Sequence, residues 1–330
     1  VYHAVYNFEG KETNDKYACW ISQHGANIIG GYDSLATGNA STTTPNPTLY
    51  RTIFSGDLNG DDKVVMEDGS YFLFENFDDN MAVQMISMNI NSDVHISGLE
   101  LTGVAYAKGT STSLISLNAP EENNYKVTVE NCKFSVSDKG IQKVNVKGLE
   151  VNKCEFDYIL NSAINSTLGC HIYNSTFAYT GGVLNYGDNS DLIVENSTFV
   201  KNAFDIQTIT YDEDKLNNAK IYNNTFISRE YPTEFNLGDN ALATVAGNIF
   251  AGTSVTSGHG TKQQSFENNL FAGRNLNLGA SATEKGNIKL DDITSVYKYL
   301  LDGKYSESDT IFTPNLAYNG SSTRTVALLT

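Results

Sequence analysis

Short apolar runs recur along most of the chain in one fixed frame. In the copy Cys170-x-Ile172-x-Asn174-x-x-Phe177, two apolar residues at i and i+2 are followed by Asn at i+4 and Phe at i+7. Apolar residues two positions apart predict a short strand with one buried face. The same frame runs through Val127 to Phe134, Leu192 to Phe199, Ala219 to Phe226 and Gln264 to Phe271, and weaker copies run through Val94 to Leu101, Leu149 to Phe156 and Ala243 to Phe250.

The period of this repeat predicts the fold. From Phe134 onward, the last anchors of successive copies are 22, 21, 22, 27, 24 and 21 residues apart. A third apolar pair follows the Phe in several copies, among them Val183/Leu184 and Phe235/Leu237. A repeat of about 22 residues with three short strands is one coil of a solenoid, which buries its apolar face only against coils about 4.8 Å away. The sequence therefore predicts an all-β protein, a single-stranded right-handed parallel β-helix of about 8–11 coils.

The repeated Asn and Phe have distinct expected roles. Asn adopts unusual backbone angles and bonds its own backbone, so it is expected at the bend between two strands. Stacked from coil to coil, the repeat Asn side chains are expected to hydrogen-bond one another as a buried ladder. Phe is expected to start the next strand and to stack on the Phe of neighbouring coils. A leucine-rich repeat has a similar period, but its Leu-x-x-Leu-x-Leu pattern is absent from this chain.

The pattern divides the chain into three segments. Residues 1–50 lack the frame and are predicted to be an N-terminal cap or lead-in that protects the edge of the first coil. Residues 51–290 form the predicted β-helix. Residues 291–330 are predicted to hold a short amphipathic helix over 291–302, which packs on the last coil, and a terminal segment. The helical period is carried by Ile293, Val296, Tyr297, Leu300 and Leu301.

Composition and charge exclude several classes of protein. With 40% apolar and 18% charged residues, the chain is not expected to be disordered. A formal net charge of −16 with 22 Lys and Arg residues argues against a nucleic-acid partner, which needs a basic face. No apolar run reaches the roughly 18 residues of a membrane span.

The same composition favours a protein outside the cell. The chain is acidic and rich in Asn, with 37 in 330 residues, and its 4 Cys are too few for a disulfide scaffold. It starts at Val1 without a recognisable leader, so we expect a mature or trimmed product that could be part of a longer chain. A secreted or cell-surface location is therefore predicted.

The repeat is similar to that of a known superfamily. The segments written NCKF, NSTF, NSTF and NNTF resemble the repeats of right-handed β-helix proteins of the pectate-lyase-like superfamily, of the bacterial secreted or cell-surface type. The lead-in from Gly25 to Tyr32 and the segment from Thr52 to Asp57 are similar to those that precede such repeats, so the resemblance covers residues 25–290. It implies the β-helix fold. It leaves the function open, because the superfamily includes lyases, hydrolases, epimerases and non-catalytic adhesins.

One acidic segment has the spacing of a calcium-binding loop. From Asp57 to Asp68, oxygen-bearing side chains occupy positions 1, 3, 5 and 12 of an EF-hand-type loop, and it is similar to the loop of dockerin modules. Position 6 is Asp62 rather than Gly, and no helix is predicted before the loop, so an acidic turn is the alternative. A structural Ca²⁺ is the predicted cofactor. Its predicted ligands are Asp57, Asn59, Asp61, Lys63 through its carbonyl group, and Asp68.

A second candidate site follows the repeat Phe. Residues two or three positions after this Phe stack in a column, which would gather basic and aromatic side chains on an acidic protein. A lyase acting on a uronic acid polymer needs a basic residue and a cation, whereas solvated loop positions are the alternative. The predicted catalytic set, if the protein is a lyase, is Lys201, Arg229 and Arg274. Tyr rings can stack on sugars, and the predicted substrate-binding set is Tyr158, Tyr179 and Tyr186.

Other reactive residues carry weaker signals. Asp157 and Asp205 are the candidate carboxylates for glycoside hydrolysis, but they follow their anchor Phe at different distances. His171 lies beside a strand residue and is predicted to be structural or on the surface. Cys132 and Cys154 both precede a repeat Phe by two residues, so they should stack as buried thiols, with a disulfide as the alternative.

Three hypotheses follow in order of preference. The first is a secreted or surface-attached β-helix protein without catalysis, which acts in adhesion or binds a polysaccharide or cell-surface glycan. The second is a polysaccharide lyase or related carbohydrate-active enzyme. The third is an architectural module of a longer surface protein.

Overall fold

The fold was analysed in a computed structural model, which describes residues 20–22, 24–33, 35, 44–57, 60–67, 71–76, 84–104, 112–209, 217–228, 233–239, 241–258, 263–273 and 276–293. The chain divides into two compact units, unit 1 at Val1–Asn165 and unit 2 at Ser166–Thr330. The described residues form an all-β fold, a parallel β-solenoid with coils of about 23 residues. The predicted fold class is therefore confirmed.

Strands make up most of the described residues. Unit 1 contains β1 (Trp20–Ser22), β2 (Ile28–Ile29), β3 (Thr52–Ser55), β4 (Lys63–Glu67), β5 (Tyr71–Glu75), β6 (Gln84–Asn89), β7 (Val94–Ser97), β8 (Leu99–Val104), β9 (Ser113–Glu130) and β10 (Lys133–Asn152). The boundary between the units falls within β11 (Glu155–Tyr173). Unit 2 continues with β12 (Thr176–Thr180), β13 (Val183–Glu195), β14 (Thr198–Val200), β15 (Phe204–Ile209), β16 (Asn217–Tyr222), β17 (Thr225–Ile227), β18 (Thr233–Asn236), β19 (Ala241–Ala246), β20 (Ile249–Ala251), β21 (Thr253–Thr256), β22 (Gln264–Glu267), β23 (Leu270–Ala272), β24 (Leu276–Asn277), β25 (Ala282–Lys285) and β26 (Ile288–Leu290).

Three parallel ladders build unit 1. One joins β1, β6, β9 and β10, the second joins β2, β7, β9 and β10, and the third joins β3, β8 and β10. The solenoid therefore already includes Trp20–Ser22 and Ile28–Ile29, upstream of the predicted start at residue 51. Gly30 and Gly31 follow β2 where later coils have the Asn of the repeat, so the sequence frame does not reveal this first coil.

Unit 2 repeats the same three-ladder arrangement. The ladder that carries the repeat Phe runs through β12, β14, β17, β20, β23 and β26, which is six successive coils. Neighbouring Phe rings stack with centroids 4.6 Å apart for Phe177 and Phe199 and 4.7 Å apart for Phe226 and Phe250. The predicted Phe stack is confirmed, and the rings are fully buried.

Unit 1 adds earlier levels to the same ladder, on β3, β8 and β10. The early coils of unit 1 are longer than the repeat period. Leu101 pairs with Phe54, which lies 47 residues earlier (54 to 101), and Phe134 pairs with Leu101, which lies 33 residues earlier (101 to 134). One insertion in the first of these intervals is an antiparallel hairpin of β4 and β5, which the repeat frame did not predict. The helix predicted over 291–302 lies outside the described residues, apart from residues 291–293.

The Asn of the repeat occupies the bend, as predicted. The backbone there is left-handed, with a φ of 52° at Asn131, 53° at Asn174 and 49° at Asn196. Asn is one of the few residues with a side chain that adopt this conformation readily.

The buried Asn ladder exists, but the residue after the repeat Asn forms it. Asn224 donates its backbone N–H to Asn248 Oδ1 at 2.8 Å, Asn248 donates likewise to Asn269 Oδ1 at 2.9 Å, and Asn269 donates to Asn287 Oδ1 at 2.9 Å. Each Nδ2 in turn donates to a backbone carbonyl, as Asn248 does to Ile221 at 2.8 Å. The assignment of the ladder to the repeat Asn was therefore wrong. A residue in the left-handed bend aims its side chain away from the core, and only the next residue points inward.

Candidate functional site

The acidic segment after β3 brings three carboxylates together. Ligand atoms of Asp57, Asp61 and Asp62 all lie within 4.8 Å of one another. Asp57 Oδ1 accepts from the N–H of Gly60 at 2.7 Å, and its Oδ2 accepts from the N–H of Asp62 at 3.3 Å, so Asp57 also holds the turn. The sequence assigned Asp62 no ligand role, and the structure places it in the cluster.

The remaining predicted ligands are arranged differently from an EF-hand loop. Strand β4 covers positions 7–11 of the proposed loop, beginning at the exposed Lys63. Five extended residues span roughly 16 Å, so the strand carries the chain away from the acidic cluster. Asn59 and Asp68 lie outside the described residues. The cation site that these carboxylates suggest is therefore a cluster of neighbouring Asp residues at one corner of unit 1.

The column after the repeat Phe is a second left-handed bend. The φ angles of Tyr158, Tyr179 and Lys201 are 53°, 53° and 51°. In unit 2 the Lys201 ammonium lies over the Tyr179 ring, 5.5 Å from its centroid, in a cation–π contact. Arg229, Arg274 and the side chain of Tyr186 lie outside the described residues. Of the predicted lyase residues, the structure therefore describes only Lys201, whose ammonium group contacts the Tyr179 ring.

Charged side chains line the outward face of the third ladder in unit 1. Glu100 and Lys133 are in register on β8 and β10, and each precedes a buried anchor, Leu101 or Phe134. Glu155 continues the column on the next coil, because the Phe134 and Phe156 rings stack at 4.6 Å. Adjacent strands are about 4.8 Å apart, so the column presents negative, positive and negative charge in succession.

A second column runs beside the first one on the same face. Ser135 Oγ donates to Thr102 Oγ1 at 3.0 Å, and Asp157 follows them on β11. The pKa of Asp157 is raised from 3.8 to about 6, mainly by partial burial; the nearby Lys133 charge opposes this rise, and the Glu155 charge contributes to it. This carboxyl group therefore changes its charge close to neutral pH. We call the two columns together, Glu100, Lys133, Glu155, Thr102, Ser135 and Asp157, the outer face of unit 1.

Both sides of the outer face have a border. On the side before the anchors, an open pocket of about 360 Å³ is lined by Pro47, Arg51, Lys133, Lys153 and Glu155, among others. Arg51 forms an ion pair with Glu100 there.

On the other side an aromatic group adjoins Asp157. The Tyr158 ring meets Phe72 of the hairpin edge to face at 5.4 Å, and Phe72 lies 5.3 Å from Phe74. The outer face therefore combines cations, carboxylates, hydroxyl groups and an aromatic border within a few residues of one another. Of the two predicted sugar-stacking residues whose side chains the structure describes, Tyr158 lies at this border.

The other predicted residues lie in structural positions. Asp205 in unit 2 is 1% exposed, and its carboxylate accepts from Asn202 Nδ2 and Thr253 Oγ1, each at 3.1 Å. Burial raises the pKa of Asp205 to about 7. His171 Nε2 lies 3.9 Å from a Glu195 carboxylate oxygen, at a half-buried position. Asp205 is enclosed by the coils and has no open face for a polymer.

Sequence reasoning missed most of the outer face and the charged residues of the pocket beside it. Arg51, Glu100, Lys133, Lys153 and Glu155 were not selected, although the repeat frame contains a signal for three of them. Glu100, Lys133 and Glu155 each stand one residue before an anchor, and strand alternation points that position outward.

Comparison of the chain with protein-family models, with curated proteins and with solved structures gives no match. In the described part of the chain, no helix has the length and hydropathy needed to cross a bilayer.

Proposed function

We propose that the protein binds glycans without catalysis through the outer face of unit 1, and that it does so as a secreted or cell-surface protein of bacterial type. The observation that carries the proposal is the combination of Lys133, Glu155 and Asp157 with the aromatic border at Tyr158 on one outward strand face. Sugar rings present hydroxyl groups to charged and amide side chains and an apolar face to aromatic rings. The acidic, Asn-rich composition and the repeat resemblance support the extracellular setting.

A glycan array with neutral and acidic oligosaccharides tests this proposal, followed by calorimetric titration of the strongest ligand. The combined variant Lys133→Ala with Glu155→Ala is expected to weaken binding at least about tenfold, since hydrogen bonds to charged groups are worth about 1.5–3 kcal/mol. Lys126→Ala is the matched control, because Lys126 pairs with Glu150 at 2.9 Å outside the outer face. Unchanged affinity in the combined variant would contradict the proposal, and the absence of any glycan ligand would favour a purely architectural module.

A second candidate function is glycoside hydrolysis on the same face. Asp157 holds its proton up to about pH 6, as a general acid requires. Glu155 lies two residues before it on the same strand, so both carboxylate side chains leave the same face, as a pair of catalytic carboxylates must. New reducing ends that form with the wild type and not with Asp157→Asn, at unchanged binding, would establish this activity. An unsaturated product that disappears in Lys201→Ala would instead establish a lyase.

We also propose that Asp57, Asp61 and Asp62 bind a structural Ca²⁺. Three carboxylates within 4.8 Å repel one another, and a hard divalent cation with oxygen ligands relieves that repulsion. Adding calcium to chelated protein is expected to raise the melting temperature. The rise should be lost in Asp57→Asn and kept in Asp93→Asn, an exposed acid of another turn. An equal melting temperature with calcium and with chelator would refute the site.

A further inference from the structure

Two cysteines of unit 1 stand opposite each other on adjacent coils. Glu130 pairs with Asn152 on one side of them, and on the other side the Phe134 and Phe156 rings stack at 4.6 Å. Both pairs of residues are 22 positions apart in the chain, and Cys132 and Cys154 are separated by the same distance. The N–H of Glu155 donates to the carbonyl of Cys132 at 2.9 Å, which is the bond expected when Cys132 faces Cys154 in a parallel ladder.

This register brings the two thiols within reach of each other. Adjacent parallel strands are about 4.8 Å apart, and disulfides join Cα atoms about 4.4–6.8 Å apart. Both cysteines are buried thiols in the structure. Cys132 Sγ lies 3.2 Å from the carbonyl oxygen of Glu130, and Cys154 Sγ lies 3.4 Å from that of Asn152, which are weak hydrogen bonds for a thiol.

The same coil position has a stronger link in unit 2. There the residue two before the anchor is Ser175, Ser197, Asn224, Asn248, Asn269 or Asn287, and these side chains hydrogen-bond from coil to coil. Thiols are poor substitutes for amides in such a ladder, because sulfur is a weak donor and a weak acceptor. A covalent S–S bond is the link between coils that cysteine can supply at this position.

We propose that Cys132 and Cys154 are a redox-active pair that closes to a disulfide between adjacent coils, with a low-molecular-weight disulfide such as oxidised glutathione as the oxidant. Cys132 is 2% exposed but lines the open pocket beside Arg51, Lys133 and Lys153, so it is the thiol that a local opening of the pocket wall presents to the oxidant. Lys133 and Lys153 suit the carboxylates of glutathione, while Arg51 is paired with Glu100, and Glu155 also lines the pocket.

The reaction proceeds by two thiol–disulfide exchanges. The Cys132 thiol loses its proton, and its sulfur attacks one sulfur of oxidised glutathione, so that one reduced glutathione leaves and a mixed disulfide remains. Cys154 then loses its proton and attacks the Cys132 sulfur, which releases the second glutathione. The two protein thiols supply the two electrons, and two reduced glutathione molecules are formed.

The titration of the pair supports this order of attack. The hydrogen bond with Cys154 lowers the pKa of Cys132, while burial raises the pKa of Cys154 well above its usual value. The thiolate, which is the attacking species, therefore forms first at the residue that lines the pocket.

Peptide mapping of the native chain tests the proposal. After incubation with oxidised glutathione, non-reducing digestion should yield one peptide pair joined through Cys132 and Cys154. Cys154→Ser should stop at the mixed disulfide and carry one glutathione at Cys132. Cys132→Ser should carry none at Cys154.

Cys170→Ser is the matched control, because Cys170 is equally buried and its replacement should leave the joined pair unchanged. If the Ser variants fail to fold, the wild-type map still decides the question. Cys132 and Cys154 peptides that stay unjoined after prolonged exposure of the folded wild-type chain, or a bond from either residue to another cysteine, would overturn the proposal.

Discussion

Lys133 and Glu100 face each other across β10 and β8, and the ammonium group also lies close enough to Asp157 to lower the pKa of that carboxyl group. One cation thus balances acids on both of its neighbouring coils. Glu155 acts in the opposite direction and raises the pKa of Asp157. The charge state of the outer face near neutral pH therefore depends on a small set of neighbouring residues.

This balance predicts opposite effects of two substitutions on one carboxyl group. Lys133→Ala removes the cation and should raise the pKa of Asp157 above about 6, whereas Glu155→Gln removes the negative neighbour and should lower it. A carbon-detected NMR titration of the Asp carboxyl groups measures both shifts. Lys126→Ala, which breaks the ion pair with Glu150, is expected to leave this titration unchanged. Shifts of the same sign in the two variants would contradict the arrangement of the outer face.

The fold was predictable because the repeat exposes it directly. A Phe every 21–27 residues and apolar residues two apart require a coil whose neighbours stack in register. The role of each single position within the repeat was harder to predict. At Asn223–Asn224 and Asn268–Asn269 both residues are Asn, and the pattern does not indicate which one turns the chain and which one points inward.

The candidate site was less predictable for two physical reasons. The basic residues after the repeat Phe were grouped only by their distance from it along the chain. At that position the backbone bends into a left-handed conformation, as at Lys201 with a φ of 51°. On the outer face the sign of the charge alternates from coil to coil, as from Lys133 to Glu155. The sequence therefore shows no cluster of like charges that would reveal the site. Their proximity depends on the coil register, which the irregular early coils obscure.

The Asn ladder of unit 2 should contribute strongly to stability. Asn248→Ala leaves the backbone N–H and Nδ2 of Asn224 without their acceptor, which lies at 2.8 Å and 3.1 Å in the native chain. Each buried group left unsatisfied costs about 1–3 kcal/mol, so we expect a loss of roughly 3 kcal/mol. Thermal and urea melting measure the loss.

Asn218→Ala is the matched control for the ladder. Asn218 is exposed and donates to Asp191 Oδ1 at 2.8 Å, and a change there should cost less than about 0.5 kcal/mol. Equal losses in the two variants would show that the ladder adds nothing beyond an exposed hydrogen bond.

Two glycines with the same backbone conformation should differ in their tolerance of alanine. Gly252 and Gly60 have φ angles of +80° and +79°, so Ala is strained at both positions by about 1–2 kcal/mol. At Gly252 an added Cβ would also lie 1.7 Å from the Ser228 carbonyl oxygen of the adjacent coil, whereas nothing lies within 4 Å at Gly60. We expect Gly252→Ala to be the more destabilising change by about 1–3 kcal/mol, the usual cost of overpacking. Comparable melting temperatures of the two variants would contradict the close packing of these coils.

The buried Asp205 predicts a pH-dependent loss of stability. Its pKa is raised by burial from 3.8 to about 7, and its hydrogen-bond partners Asn202 and Thr253 are neutral donors that offset only part of that cost. Between these two pH values the folded chain holds a proton that the unfolded chain has released, so the free energy of unfolding falls as pH rises through this window. Asp205 contributes its full stabilisation below about pH 4. Above about pH 7 the free energy of unfolding has fallen by the whole effect, roughly 4 kcal/mol.

Asp205→Asn keeps the shape of the protonated group and cannot ionise. The difference in unfolding free energy between this variant and the wild type, measured by urea denaturation from pH 4 to pH 8, should therefore shift steadily in favour of the variant. A difference that stays constant with pH would mean that Asp205 is already ionised in the folded protein at low pH.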